Sequence, residues 1–244
     1  MSQGLLTRTD STFDLLSIIV YDVTFNMIYV NGGSFSMGAT SEQINPGDDE
    51  KPMHQVTLSS YYIGETEVTQ SLWKAVMVSN PSQFKGGNLP VENVSWEECQ
   101  DFINKLNILT GRSFRLPTEA EWEFAARGGN KSKRTQYSGS SNIDEVAWYD
   151  GNSVAKTHPV KTKKANELGI YDMSGNAWEW CQDWYDKYND SVQNNPVGPA
   201  SGSNRVRRGG SWYYSARSCR TSYRDYSAPV NCYNYLGFRL VLSE

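Results

Sequence analysis

Met27-Ile-Tyr-Val30, then Asn31-Gly32-Gly33, then Ser34-Phe-Ser-Met-Gly38 read as strand, tight turn and strand. Asn-Gly adopts positive φ at little cost, so this pattern predicts a hairpin. Gln55 to Ile63 alternates again and predicts one further strand. Residues 40–52 are polar, with Pro46, Gly47 and the acidic run Asp48 to Glu50, and read as a loop. Leu15 to Tyr21 is an apolar run bracketed by Asp14 and Asp22. It is too short for a membrane span and has neither the basic flank nor the small-residue cleavage site of a secretory signal, so it reads as a strand.

Three helices follow from local signals. Thr69 can cap a short one through Val76. Ser95 and Glu98 form a capping box ahead of Trp96, Cys99, Phe102, Ile103, Leu106 and Leu109, whose spacing of three and four buries one face before Gly111. Thr118 and Glu121 form a second box ahead of Trp122, Phe124 and Ala125, and Gly128-Gly129 stops that helix. Beyond Arg127 the chain is loops, aromatics and short strands, ending in a strand from Gly237 to Leu242. Helices in the first half and irregular β in the second predict an α+β domain over 27–244, with residues 1–26 as an extension packed on it.

The hydrophobic fraction is 38%, but 8 Trp and 15 Tyr bring enough ring area to build a core from few residues. Trp96, Phe102, Trp122, Trp178, Trp180 and Phe238 are the expected core rings. A net charge of −4 lacks the positive field of a nucleic-acid binder. The short cluster Arg205, Arg207, Arg208 reads as an exposed strand with solvated charges. Cys99, Cys181, Cys219 and Cys232 have no CxxC spacing, and with only His54 and His158 beside them no Cys/His zinc site is expected. Cys99 and Cys181 read as buried thiols. No signal directs secretion, which makes the cytoplasm the default expectation.

Six segments in order resemble the formylglycine-generating-enzyme family, also called sulfatase-modifying factors. They are Gly32 to Gly38, Glu65 to Thr69, Arg115 to Arg127, Gly169 to Trp180, Arg208 to Trp212 and Gly237 to Arg239. The resemblance implies a C-type-lectin-like fold with little regular secondary structure. The family's oxidases use two cysteines, five residues apart, that bind copper after a Gly-Gly-Ser segment. Here Gly209-Gly210-Ser211 is present and Cys219 stands at the second cysteine position, but Tyr214 stands at the first. A phenol does not replace a thiolate on Cu(I), so copper is not expected and Cys219 with Ser211 is a vestige of the catalytic set. The resemblance also implies a calcium site at Asp172, Gly175, Ala177 and Glu179. A second family calcium site meets Lys161 here and is not expected.

The segment from Tyr213 to Tyr235 has a vocabulary of its own. It holds six tyrosines and no Lys, Glu, Gln, Met or Trp. Tyr, Ser and Asn are the residues of antibody binding loops, where Tyr gives wide contact with few torsions to freeze. The segment resembles the variable region of diversity-generating-retroelement proteins, which often display it on this fold. Their retroelement mutates adenines in Asn codons, which can become Tyr, Ser, Asp, Cys, Ala or Val but never the five absent types. The resemblance implies a ligand-binding face at Tyr213, Tyr214, Ser215, Ser218, Tyr223, Asp225, Tyr226, Ser227, Asn231, Tyr233, Asn234 and Tyr235, all expected on the surface. Arg217, Arg220 and Arg224 are expected to be bonded beneath it. Its partner would be a protein or other macromolecule, on a phage-associated display protein or a cytoplasmic one. The alternatives are an oxidase-like sulfatase-modifying enzyme and an idle scaffold whose tyrosines are core.

Overall fold

The computed structural model describes residues 15–243. Strands β1 (Leu15–Val20) and β2 (Val23–Val30) pair antiparallel around a turn at Tyr21, which has φ 54°. β3 (Gly33–Met37) and β4 (His54–Leu58) form another antiparallel pair. β2 and β3 therefore lie in different sheets, and the hairpin expected at Asn31-Gly32 does not form. Gly32 serves a crossing instead: its amide bonds Ser60 Oγ at 3.1 Å, and a Cβ there would lie 2.5 Å from the Leu58 carbonyl. The single strand expected over Gln55–Ile63 likewise splits into β4 and β5 (Tyr61–Gly64), one in each sheet. A domain boundary after residue 26 would cut through β2. Residues 1–14 of the expected extension lie outside the described residues.

α1 (Gln70–Met77) is capped by Thr69. α2 (Trp96–Thr110) and α3 (Glu119–Ala126) both start with the expected capping boxes. β6 (Phe114–Arg115) lies between α2 and α3, and a one-turn helix α4 (Ile143–Val146) follows α3. Then come β7 (Trp178–Trp184), β8 (Gln193–Asn194), β9 (Arg205–Arg208), β10 (Arg224–Ser227), β11 (Leu236–Gly237) and β12 (Val241–Ser243). Phe238–Leu240 interrupt the single strand expected at the end of the chain.

Three sheets result, in the orders β1-β2-β5-β12-β6, β10-β9-β7-β11 and β3-β4-β8. The pleat of the first sheet sorts the core. Met27, Phe114 and Leu242 pack with Leu72, Trp73 and Phe102 of α1 and α2. Ile28, Val30, Ile63 and Val241 pack with Trp122 and Phe124 of α3. Successive residues that alternate between two clusters place one cluster on each face of the sheet. Of the six expected core rings, five are fully buried and Trp96 is half-buried. No helix among the described residues is long and apolar enough to cross a membrane.

α3 decides what happens at the far end of the chain. All eight of its residues are buried, including Glu119, Glu121 and Glu123. Buried carboxylates need ionic partners, and each finds arginine. Arg115 grips Glu121 with two bonds of 2.7 Å, and Arg127 bonds Glu123 at 2.9 Å. Arg208 of β9 and Arg224 of β10 reach Glu119.

Candidate binding face

The segment from Trp212 to Tyr235 leaves β9 through Gly209 and Gly210, both at positive φ. A Cβ on Gly210 would stand 2.7 Å from Cys219 Sγ, so this turn needs glycine. One 3-10 turn follows at Ala216–Cys219, then β10 runs back along β9, and a loop delivers the chain to β11.

Two kinds of attachment hold this path. Three candidate positions are bonded to the scaffold through their main chain: Asp150 N donates to the Tyr214 carbonyl at 3.1 Å, Asn93 N to that of Tyr233 at 2.9 Å, and Trp178 N to that of Tyr235 at 2.8 Å. These bonds do not depend on which side chain is present. The residues between them are bonded through side chains. Trp212 Nε1 donates to the Asn234 carbonyl at 3.0 Å. Arg220 pairs with Glu50 through bonds of 2.8 and 2.6 Å, and Ser222 Oγ joins the same carboxylate. Arg224 pairs with Glu119 at 2.8 and 2.5 Å. Arg220, Arg224, Glu50 and Glu119 are all buried.

The twelve expected surface positions divide into three groups. Tyr213 is 62% exposed and Tyr226 47%, and Ser215 is exposed beside them. Tyr214, Tyr223, Asp225, Asn231, Tyr233, Asn234 and Tyr235 are half-buried. Their four tyrosine rings lean on the α1–α2 side of the core, Tyr214 edge-on to Trp178 at 5.4 Å. Ser218 and Ser227 are buried, against expectation. Ser218 lies in the crowded turn under Gly210, and Ser227 Oγ accepts from Asn231. Arg217 departs from expectation in the opposite sense: it is exposed, its guanidinium 5.8 Å from the Tyr223 ring. Tyr213, Tyr235 and Tyr233 form a run of near-parallel rings with centroids 5.9 and 5.0 Å apart. Val230 and Cys232 are exposed in the same loop, and Tyr185 packs on Tyr226 at 4.4 Å. Val230 and Cys232 were within reach of the sequence, since they share the segment's vocabulary; nothing local marks Tyr185.

The arginine cluster on β9 is not a solvated strand. Arg208 is fully buried between Glu119 and Glu123, and Arg207 is buried and bonds Asp225 at 2.8 Å. Arg205 is sandwiched by Trp96 and Trp184, at 3.9 and 3.5 Å from their ring centroids.

Cys219 is buried with Tyr137 and Val146, and Ser211 is buried as well. Burial, with Asp150 nearby, pushes the Cys219 thiol well up, the reverse of a reactive thiolate. In the expected calcium set, Glu179 is held by Arg239 at 2.6 Å from each oxygen and also accepts from Trp122 at 2.7 Å. Asp172 accepts from the Lys161 amide at 2.8 Å. No three or more His, Cys, Asp or Glu side chains among the described residues group as metal ligands. Glu67, Asp172 and Glu179 all act on one guanidinium, Arg239, and neither Glu67 oxygen has a hydrogen-bond partner. Burial and its two acidic neighbours drive the Glu67 carboxyl strongly upward.

Variable protein 1 of Treponema denticola superposes with a TM-score of 0.85 at 38% identity, covering 93% of this chain and 98% of that one. The chaperone protein LppX of Paenibacillus barcinonensis is 36% identical over 82% of this chain and 83% of its own length. The formylglycine-generating enzyme of Streptomyces coelicolor is 28% identical over 88% of each. The chain also matches a serine/threonine-protein kinase of Chlamydia caviae, of which it spans 37%. A family profile described as the sulfatase-modifying factor enzyme 1-like domain matches residues 22–244. With its α+β architecture and its likeness to a variable protein, the chain belongs to the sulfatase-modifying factor enzyme 1-like (formylglycine-generating-enzyme) domain family.

Proposed function

We propose that the chain is a display protein whose C-terminal face binds a macromolecular ligand and is diversified by a retroelement. One observation carries this reading. Tyr214, Tyr233 and Tyr235 are tethered to the scaffold by main-chain atoms, while Arg220 and Arg224 between the candidate positions are locked by buried side-chain ion pairs. A surface so built keeps its shape while its side chains change. The likeness to a protein named as variable supports the same reading. Ten positions serve the face: Tyr213, Tyr214, Ser215, Tyr223, Asp225, Tyr226, Asn231, Tyr233, Asn234 and Tyr235. Stacked tyrosines supply a rigid, amphipathic contact area of the kind protein-binding loops use. A library randomised at these ten positions, panned against several unrelated purified proteins, should yield different binders for different targets. A library that yields no binders, or the same binders whatever the target, would contradict the proposal.

The same reading makes the chain no copper oxidase. Tyr214 offers a phenol where the family has a thiol, and Cys219 is buried and held as a thiol. Purified protein given copper, oxygen and a sulfatase-type cysteine peptide should form no formylglycine; turnover lost in Cys219→Ser would refute this. Calcium is the second proposal. Asp172 and Glu179 with the Gly175 and Ala177 carbonyls would hold the ion, which would offset the excess acid around Arg239 and brace the loop leading into β7.

A further inference from the structure

Arg207 lies outside the biased segment but under its surface. It is the direct cross-strand partner of Asp225 in the β9–β10 register, and the two side chains bond at 2.8 Å. Its guanidinium is 5.8 Å from the Tyr214 and Tyr235 ring centroids and 5.9 Å from Tyr233. Nε and Nη1 are buried and make no well-formed hydrogen bond: the Tyr235 side chain bears on the guanidinium as a weak hydrogen-bond partner, Tyr214 acts on it through charge, and the Trp178 ring lies 5.0 Å from it. Donors on a buried cation that lack well-formed bonds are costly and leave room for a stronger acceptor. Asp225 itself is partly open, with 27% of its side chain exposed.

We infer that Arg207 is a fixed anion-recognition point of the face, and that the residue at position 225 decides whether a ligand can use it. With Asp225 the guanidinium is neutralised from within, and the face selects ligands by aromatic contact. With a short neutral residue there, the space left by the carboxylate admits an Asp, Glu or C-terminal carboxylate of a protein ligand. That carboxylate takes over the bond to Nη2 and reaches Nε and Nη1. The inference rests on the display reading for its purpose: the adenine-directed changes that give Asp at this codon also give Ser. Diversification at one position would then switch the face between neutral and cation-presenting forms.

The test is rescue by a small carboxylate. Asp225→Ser is titrated with acetate while the Arg207 Nε–H resonance and the melting temperature are followed. Acetate should shift the resonance and raise the melting temperature of Asp225→Ser, at a half-saturating concentration ~tenfold or more below any effect on the native protein. The double variant Arg207→Gln/Asp225→Ser should not respond. Should Asp225→Ser fold poorly, Asp225→Thr, also short and neutral and better suited to a strand, is read in the same way. No response in the single variants, or an equal response without Arg207, overturns the inference. The acetate assay reads only the pair 207/225, so a panning experiment that fails to find binders would leave its result intact.

Discussion

Glu92 shows how one residue can tie the face to pH. It is fully buried in the loop that donates Asn93 N to Tyr233; its Oε1 accepts from Phe84 N at 2.8 Å, and its Oε2 has no partner. Burial lifts its carboxyl to about 7. A folded-state pKa above the unfolded value means that the native state binds the proton more tightly. The stability from Glu92 is therefore complete below about pH 4.5 and is lost as pH rises through 7, a difference of about 3 kcal/mol. Glu92→Gln should remove this component. The gap in melting temperature between variant and native protein should widen in the variant's favour from pH 5 to 8, and a constant gap would show that Glu92 is ionised throughout. The tyrosines teach the complementary lesson. Their number was legible in the sequence, but Tyr213 and Tyr214 are neighbours with different exposure, and only the packing of Trp178 beneath the second separates them.

At the scale of elements, what is local was legible and what is long-range was not. Both capping boxes formed where Ser95–Glu98 and Thr118–Glu121 announced them, because a cap is decided within four residues. Asn31-Gly32 misled because the choice between hairpin and crossing depends on Ser60, which lies 28 positions away. Arg220 was expected to be bonded, but its partner Glu50 sits 170 residues earlier in what reads as an acidic loop. That pair should behave as a buried ion pair. Glu50→Gln should cost about 3–5 kcal/mol by leaving Arg220 uncompensated, whereas Glu50→Gln with Arg220→Met should cost clearly less. Equal losses in the two denaturation curves would mean that the pair contributes packing alone. The loop ahead of β7 carries the calcium proposal. At a hundredfold excess over Kd, calcium should raise the melting temperature by on the order of 5 °C, reversed by a chelator. A melting temperature indifferent to both would leave protons, and not calcium, as the charge balance around Arg239.

Across the whole molecule, the end of the chain is anchored to its beginning and middle. β12 enters the first sheet between β5 and β6, while Arg220 and Arg224 fasten the intervening segment to Glu50 and to α3. The family's motifs made the fold legible, and the biased vocabulary located the face. Neither could reveal that main-chain bonds tether Tyr214, Tyr233 and Tyr235 while buried side-chain ion pairs lock Arg220 and Arg224. That division is the central claim, and paired unfolding curves test it most directly. The fourfold variant Tyr213→Ser, Ser215→Asn, Tyr226→Ser, Asn234→Ser changes only face positions and should lose no more than about 2 kcal/mol, on the order of 4–8 °C. Arg224→Leu alone should lose about 3–5 kcal/mol, because Glu119 would be left buried beside fewer charges. A fourfold variant that melts below the single one would contradict the account.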